Sequence, residues 1–276
     1  MKIGTTSNLC SRYGDKNYAR IKMLGYDTID FQMANTNSEL YAMKEEDFIS
    51  CLKKERALIE ALGLKVNQVH GPWPVPDGHE KAMASMKKSI RGTEALGSKY
   101  WIIHPMMPYG VLEKGTENEP KTWQYNVSVF KELVEEAKAH GVIICLENMP
   151  FVNFSISTPE EKMKLVKEIN DDNFKICLDT GHVNMFKDVT NADAVRLFGK
   201  DLRTLHCHDN PGNGDNHYMP YFGTIDWKDF YKALCEIGFD GVFSLECSPP
   251  SRLSDEMYDS MNEQLFAIAT EIVSGK

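Results

Sequence analysis

The chain has 276 residues, 42% of them hydrophobic, and a formal net charge of −9. That length buries one barrel-sized core or two small ones, and the acidic balance argues against a general affinity for nucleic acid, whose backbone rewards clustered Lys and Arg. No window approaches 18 uncharged apolar residues, so no membrane span is expected, and the opening MKIGTTSNLC reads as a strand and not as a secretory leader. Seven cysteines without CxxC pairing are expected to be reduced thiols in a cytoplasmic protein.

Short apolar runs alternate with amphipathic segments along the whole chain. KIGTTS (2–7) precedes a helical pattern over about 15–24, YDTIDFQ (26–32) one over 45–62, and LKVNQVH (64–70) one over 79–97. KYWIIHP (99–105) is followed by 121–140, VIICLEN (142–148) by 158–170, and FKICLD (174–179) by 190–199. LRTLHCHD (202–209) leads to 226–236, and GVFSLEC (241–247) to 254–273. Ser157-Thr158-Pro159-Glu160 is a helix-start signal, and Gly25, Gly63, Gly97, Gly141 and Gly238 stand where helices end. Eight strand–helix repeats in this length predict an α/β fold, a (β/α)8 TIM barrel forming a single domain over 1–276. A doubly wound open sheet is the alternative, but no GxGxxG or phosphate loop follows the first run and no linker divides the chain.

The apolar runs end on polar residues. The third ends at His70, the fourth at His104, the fifth at Glu147, the sixth at Asp179, the seventh at His206 and the eighth at Glu246. In a parallel barrel these positions share the C-terminal rim, where barrel active sites are built. A single His at a strand end is ordinarily a hydrogen-bonded side chain, and a single Asp is ordinarily a helix cap. Six together would crowd desolvated charge into one mouth, which calls for a cation. Mixed carboxylates and imidazoles suit Mn, Co, Mg or Zn. The cysteines do not form a thiolate set: Cys145 and Cys177 share the inward parity of Glu147 and Asp179, whereas Cys207 and Cys247 alternate to the helix side.

LENMP (146–150), LDTGH (178–182), LHCHDN (205–210), GDNHYMPYFGTIDW (214–227) and SLEC (244–247) together resemble the xylose isomerase-like barrel superfamily, over nearly the whole chain. That superfamily holds sugar isomerases, ketose 3-epimerases, inosose dehydratases and endonuclease IV. The resemblance implies one divalent metal on Glu147, Asp179, His206 and Glu246, with no organic cofactor. It makes Glu147 and Glu246 the catalytic acid–base pair of a sugar isomerase or epimerase working through an enediolate. His182 is then a substrate contact or second-metal ligand, reached through a tight turn at Gly181. Trp73 and His208 are further substrate-binding candidates, and Tyr109 and Phe222 candidate apolar walls. His70, His104, His182, Asp215 and His217 match the additional zinc ligands of endonuclease IV, which gives a multinuclear phosphodiesterase as an alternative. A metal-dependent dehydratase or lyase on an oxidised sugar, and a barrel that only binds sugar, complete the alternatives. The expected partner is a small sugar, without membrane or nucleic acid, and the chain is a candidate homo-oligomer. Residues 207–217 contain no Arg, although many ketose 3-epimerases carry one there, Tyr221 is bulkier than the glycine of many relatives, and Arg12 and Arg252 are the only phosphate-binding candidates.

Overall fold

The computed structural model describes residues 1–73 and 79–275. Its eight strands are β1 (Lys2–Thr6), β2 (Thr28–Gln32), β3 (Lys65–His70), β4 (Tyr100–Ile103), β5 (Ile143–Glu147), β6 (Phe174–Asp179), β7 (Leu202–His206) and β8 (Val242–Leu245). They pair in parallel in the order β7-β6-β5-β4-β3-β2-β1-β8. The remaining seam is closed past the strand ends, where the Cys207 amide donates to the Ser244 carbonyl at 2.8 Å and the Glu246 amide to the Cys207 carbonyl at 3.0 Å. The sheet is therefore a barrel, as expected, and each expected apolar run contains one strand.

Around it lie α1 (Asn17–Met23), α2 (Glu39–Ala42), α3 (Glu45–Ala61), α4 (His79–Ala95) and α5 (Glu119–Ala139). They are followed by α6 (Pro159–Ile169), α7 (Thr180–Asn184), α8 (Asn191–Phe198), α9 (Trp227–Glu236) and α10 (Asp255–Ser274). The helix boundaries have local causes. The Thr158 hydroxyl accepts from the Glu161 amide while the Glu161 carboxylate accepts from the Thr158 amide, with Pro159 in the first turn of α6. Gly63 and Gly141 follow α3 and α5 at φ +74° and +63°, the left-handed region in which a side chain is strained. The short α2 and α7 were not expected, because four or five residues are too few to show a helical period.

Strand parity divides the interior. Ile102, Cys145 and Cys177 form their own buried cluster, on the parity of His104, Glu147 and Asp179, so they fill the barrel. Leu146, Leu178, Leu205, Cys207, Leu245 and Cys247 belong to the larger core between barrel and helices. All seven cysteines are free thiols. Among the described residues, no helix is long and apolar enough to cross a membrane.

Candidate functional site

The rim brings four groups from four elements to one point. Single ligand atoms of Glu147, Asp179, His206 and Glu246 all lie within 4.8 Å of one another. Glu147 ends β5, Asp179 ends β6, His206 ends β7, and Glu246 directly follows β8. His206 Nδ1 is 3.1 Å from Glu147 Oε1 and 3.2 Å from Glu246 Oε2. Both Glu147 Oε2 and His206 Nδ1 are buried polar atoms without a hydrogen-bond partner. Orphaned groups of this kind are costly unless something else binds them.

The orientation of His206 is set from behind. Its Nε2 lies 2.7 Å from Asp30 Oδ2 on β2, and the Gln68 amide donates to the same oxygen at 3.0 Å and to the Leu205 carbonyl at 3.1 Å. With Nε2 turned to Asp30, Nδ1 is the nitrogen that faces the cluster and would be free to ligate once deprotonated, the usual arrangement behind a metal-binding imidazole. Lys162, fully buried on α6, donates to the Glu147 backbone carbonyl and fixes the end of β5.

Charge in this cluster is unevenly distributed. Burial raises the Glu147 carboxyl, but His104, His206 and His70 outweigh it and hold the group ionised, below the usual carboxylate range. Burial raises Glu246, and the Glu147 charge adds to that rise. Burial lowers His206, yet Cys177, Glu246, Glu147 and Asp30 together carry it well above an ordinary histidine. His104 is pushed down to about 3 by burial, against the opposing pull of the Glu147 carboxylate.

Asp179 performs two tasks. Its Oδ1 caps α7 by accepting from the His182 amide at 2.7 Å, and its Oδ2 is 3.0 Å from His208 Nε2. Asn148 joins the ends of β5 and β6: its side chain exchanges hydrogen bonds with the backbone of Asp179, and its carbonyl accepts from His182 Nδ1 at 2.7 Å. His182 Nε2 then lies 3.3 Å from Asp215 Oδ2. Burial lowers His182, but Asp179 and Asp215 lift it to about 9. His217 donates from Nδ1 to the Glu246 carbonyl at 2.8 Å, and its ring stacks on His208 at 3.8 Å. It holds φ +49°, a left-handed conformation that these two contacts maintain.

One expectation is corrected in this region. Gly181 is not a turn residue, for it lies within α7 without a positive φ. It is small because a Cβ there would overlap the His208 ring. His208 in turn is fully buried with Nε2 3.0 Å from Asp179 Oδ2, so it supports that carboxylate from inside the protein. Gly181→Ala is therefore expected to displace His208 and weaken divalent-metal affinity about tenfold, at the low end for a group supporting a ligand. Titration by calorimetry checks this, and unchanged affinity would show that His208 does not set the position of Asp179.

Two more of the expected residues border the Glu147 carboxylate. His70 and His104 each place Nε2 3.6 Å from Glu147 Oε2. Trp73 packs on His104 at 4.6 Å and is 43% exposed. Tyr109 and Phe222 are exposed. Three further metal-sized groups are His70–Glu147–His206, Asp179–His182–His208 and His208–His217–Glu246, and among the described residues neither His104 nor Asp215 is in any of them. Asp30, Gln68, Asn148, Lys162 and Asp209 were not singled out by sequence. Asp209 accepts from the Tyr221 amide and from Trp227 Nε1, at 3.0 and 2.9 Å, and so shapes the loop that carries Asp215 and His217.

Residues 18–264 match the family described as xylose isomerase-like TIM barrel. The D-psicose 3-epimerase of Ruminiclostridium cellulolyticum is 34% identical over 125 residues, 45% of this chain and 41% of that protein. The inosose isomerase of Bacillus subtilis is 27% identical over 180 residues, 63% of this chain and 62% of that protein. The chain spans about half the length of the curated relatives it matches. The crystal structure of a D-tagatose 3-epimerase-like protein is similar with a TM-score of 0.77 at 26% identity, covering 99% of this chain and 98% of that one.

Proposed function

Because the chain belongs to the xylose isomerase-like TIM-barrel family, we propose that it is a divalent-metal-dependent sugar epimerase or isomerase. In this reading Glu147, Asp179, His206 and Glu246 hold one ion, and Glu147 and Glu246 are also the acid–base pair. The observation that carries it is the convergence of those four ligand atoms within 4.8 Å, with His206 Nδ1 and Glu147 Oε2 buried and unpartnered. Two glutamates, an aspartate that also caps α7, and one imidazole suit Mn, Co, Mg or Zn, and no thiolate enters the set.

When bound, the ion supplies Lewis-acid stabilisation of the negative charge that develops on a substrate oxygen as a carbon-bound proton leaves. The protein groups move the proton. Glu147 enters the site from the end of β5 and Glu246 from just past β8; in this reading the two carboxylates flank the bound sugar, so that one takes the proton from the carbon beside a carbonyl and the other delivers one to the opposite face. Return to the same carbon is epimerisation, and delivery to its neighbour is isomerisation. His182, Asp215 and His217 present imidazole and carboxylate to the mouth and are suited to sugar hydroxyls, with Trp73 as an apolar wall. The substrate is a small sugar, and this chemistry requires no organic cofactor.

Elemental analysis of protein purified without added metal or chelator tests the reading: about one divalent ion per chain is expected. Close to three zinc ions would move the assignment to phosphodiester hydrolysis. A pH dependence also follows. The free site holds a proton on His206, whose affinity for it is raised, and a ligating imidazole must be neutral. Binding the ion therefore ejects that proton, and metal affinity rises with pH. Calorimetry in buffers of different ionisation enthalpy should register proton release near neutral pH; release of none would contradict the ligand role of His206.

A further inference from the structure

The outer face of α3 carries charges that the chain itself does not pair. Phe48, Leu52 and Ile59 bury the inner face, whereas Glu46, Ser50, Lys53, Lys54 and Ala57 are exposed and Leu58 is 59% exposed. Residues four apart share a row on a helix surface. Two such rows lie side by side here, Glu45–Ile49–Lys53–Ala57 and Glu46–Ser50–Lys54–Leu58. Each begins with an acid, passes a small or apolar residue, reaches a lysine and ends apolar. All but Leu58 line an open groove of about 960 Å³, whose floor is Ile49, Ala57 and the aliphatic stems of the lysines. A second groove of about 770 Å³ shares Glu45, Ile49, Lys53 and Ala57 and continues to Glu94 on α4 and His140 at the end of α5. The face is therefore wider than one helix.

Glu45 is paired with Arg91 of α4. The side chains of Glu46, Lys53 and Lys54 make no ion pair or hydrogen bond with another described residue. Acid toward one end and base toward the other make the face complementary to itself. When a second α3 crosses it antiparallel about a two-fold axis at Ser50, Glu46 of each copy faces Lys54 of the other. The small Ser50 lets the two backbones approach, and rows of this spacing interdigitate at about −50°, the commonest helix crossing. A uniformly acidic partner, such as a nucleic acid or an anionic lipid surface, fits less well, since it would meet Glu45 and Glu46 beside the lysines. A surface with both signs in reverse order satisfies both ends, and a copy of this chain supplies one.

We propose that the outer face of α3 is a two-fold interface between two copies of this chain. It lies in the helix layer, contains none of the rim ligands, and stands independently of the reaction proposed above. The test is sedimentation velocity over a concentration series. The samples are the parent, Glu46→Lys, Lys54→Glu, the chain carrying both changes, and an equimolar mixture of the two single variants. The parent is expected to be a dimer that dissociates more readily as salt is raised, because exposed ion pairs are screened. Each single variant sets like charges against each other on both sides of the axis and should weaken association at least about fivefold. The double variant and the mixture restore opposite charges at both contacts, and their association should return to within about twofold of the parent. Circular dichroism and metal stoichiometry should match the parent throughout. A monomeric parent, single variants that associate like the parent, or a double variant as weak as the singles overturns the interface. A monomeric parent that pellets with phosphatidylserine vesicles would give the face to a lipid surface instead.

Discussion

Glu246→Gln is expected to lower kcat by about 10²–10⁴-fold, the range for loss of a positioned acid–base group, while the barrel keeps its fold and most of its melting temperature. The substitution preserves size and an oxygen able to face the ion but removes the carboxylate that carries the proton. Glu147→Gln should behave alike, because epimerisation needs both a donor and an acceptor of the proton. The two variants differ in stability. Glu147 is buried among His70, His104 and His206, so its neutralisation leaves buried imidazoles without their carboxylate; Glu246 is 16% exposed and borders a cavity. Steady-state kinetics with circular dichroism on each variant checks this. Retention of most activity by either one would remove the two-carboxylate mechanism.

Asp30→Ala should reduce metal affinity by about 10–100-fold, the usual effect of removing the partner behind a metal-binding imidazole. Without the Asp30 carboxylate, 2.7 Å from His206 Nε2, the ring loses the contact that fixes which nitrogen carries hydrogen, and Gln68 loses one of its two acceptors. The loss should be recovered in part by Asp30→Asn, whose amide oxygen can still accept from Nε2–H. A chelator competition series across the three proteins gives the ranking. Equal affinity in all three would show that Asp30 has only a packing role.

The strand ends were legible because apolar runs that stop at His, Asp or Glu are conspicuous, and strand parity places them all on one face. Asp30 was not legible. It sits inside YDTIDFQ, and its partner His206 is 176 residues away, a pairing that only barrel closure creates. Lys162 belongs to an amphipathic helix pattern, in which a lysine reads as solvated; burial against the Glu147 carbonyl is a property of how α6 docks. Asn148 was visible within LENMP, yet its role as a brace depends on β5 and β6 being neighbours in register. Gly181 shows the converse. The sequence correctly marks a position that must be glycine, but the reason is the His208 ring packed against it and not the local backbone.

The most direct test is solvent deuterium exchange, followed by proton NMR, for a panel of free ketoses incubated in D2O with the metal-loaded enzyme and with the chelator-treated enzyme. The account predicts deuterium at the carbon beside the carbonyl, together with the epimer or isomer, only when the ion is present and not with Glu246→Gln. Loaded enzyme that holds one ion per chain yet exchanges no carbon-bound hydrogen in any neutral ketose, or exchange that persists undiminished after the ion is removed, would contradict it.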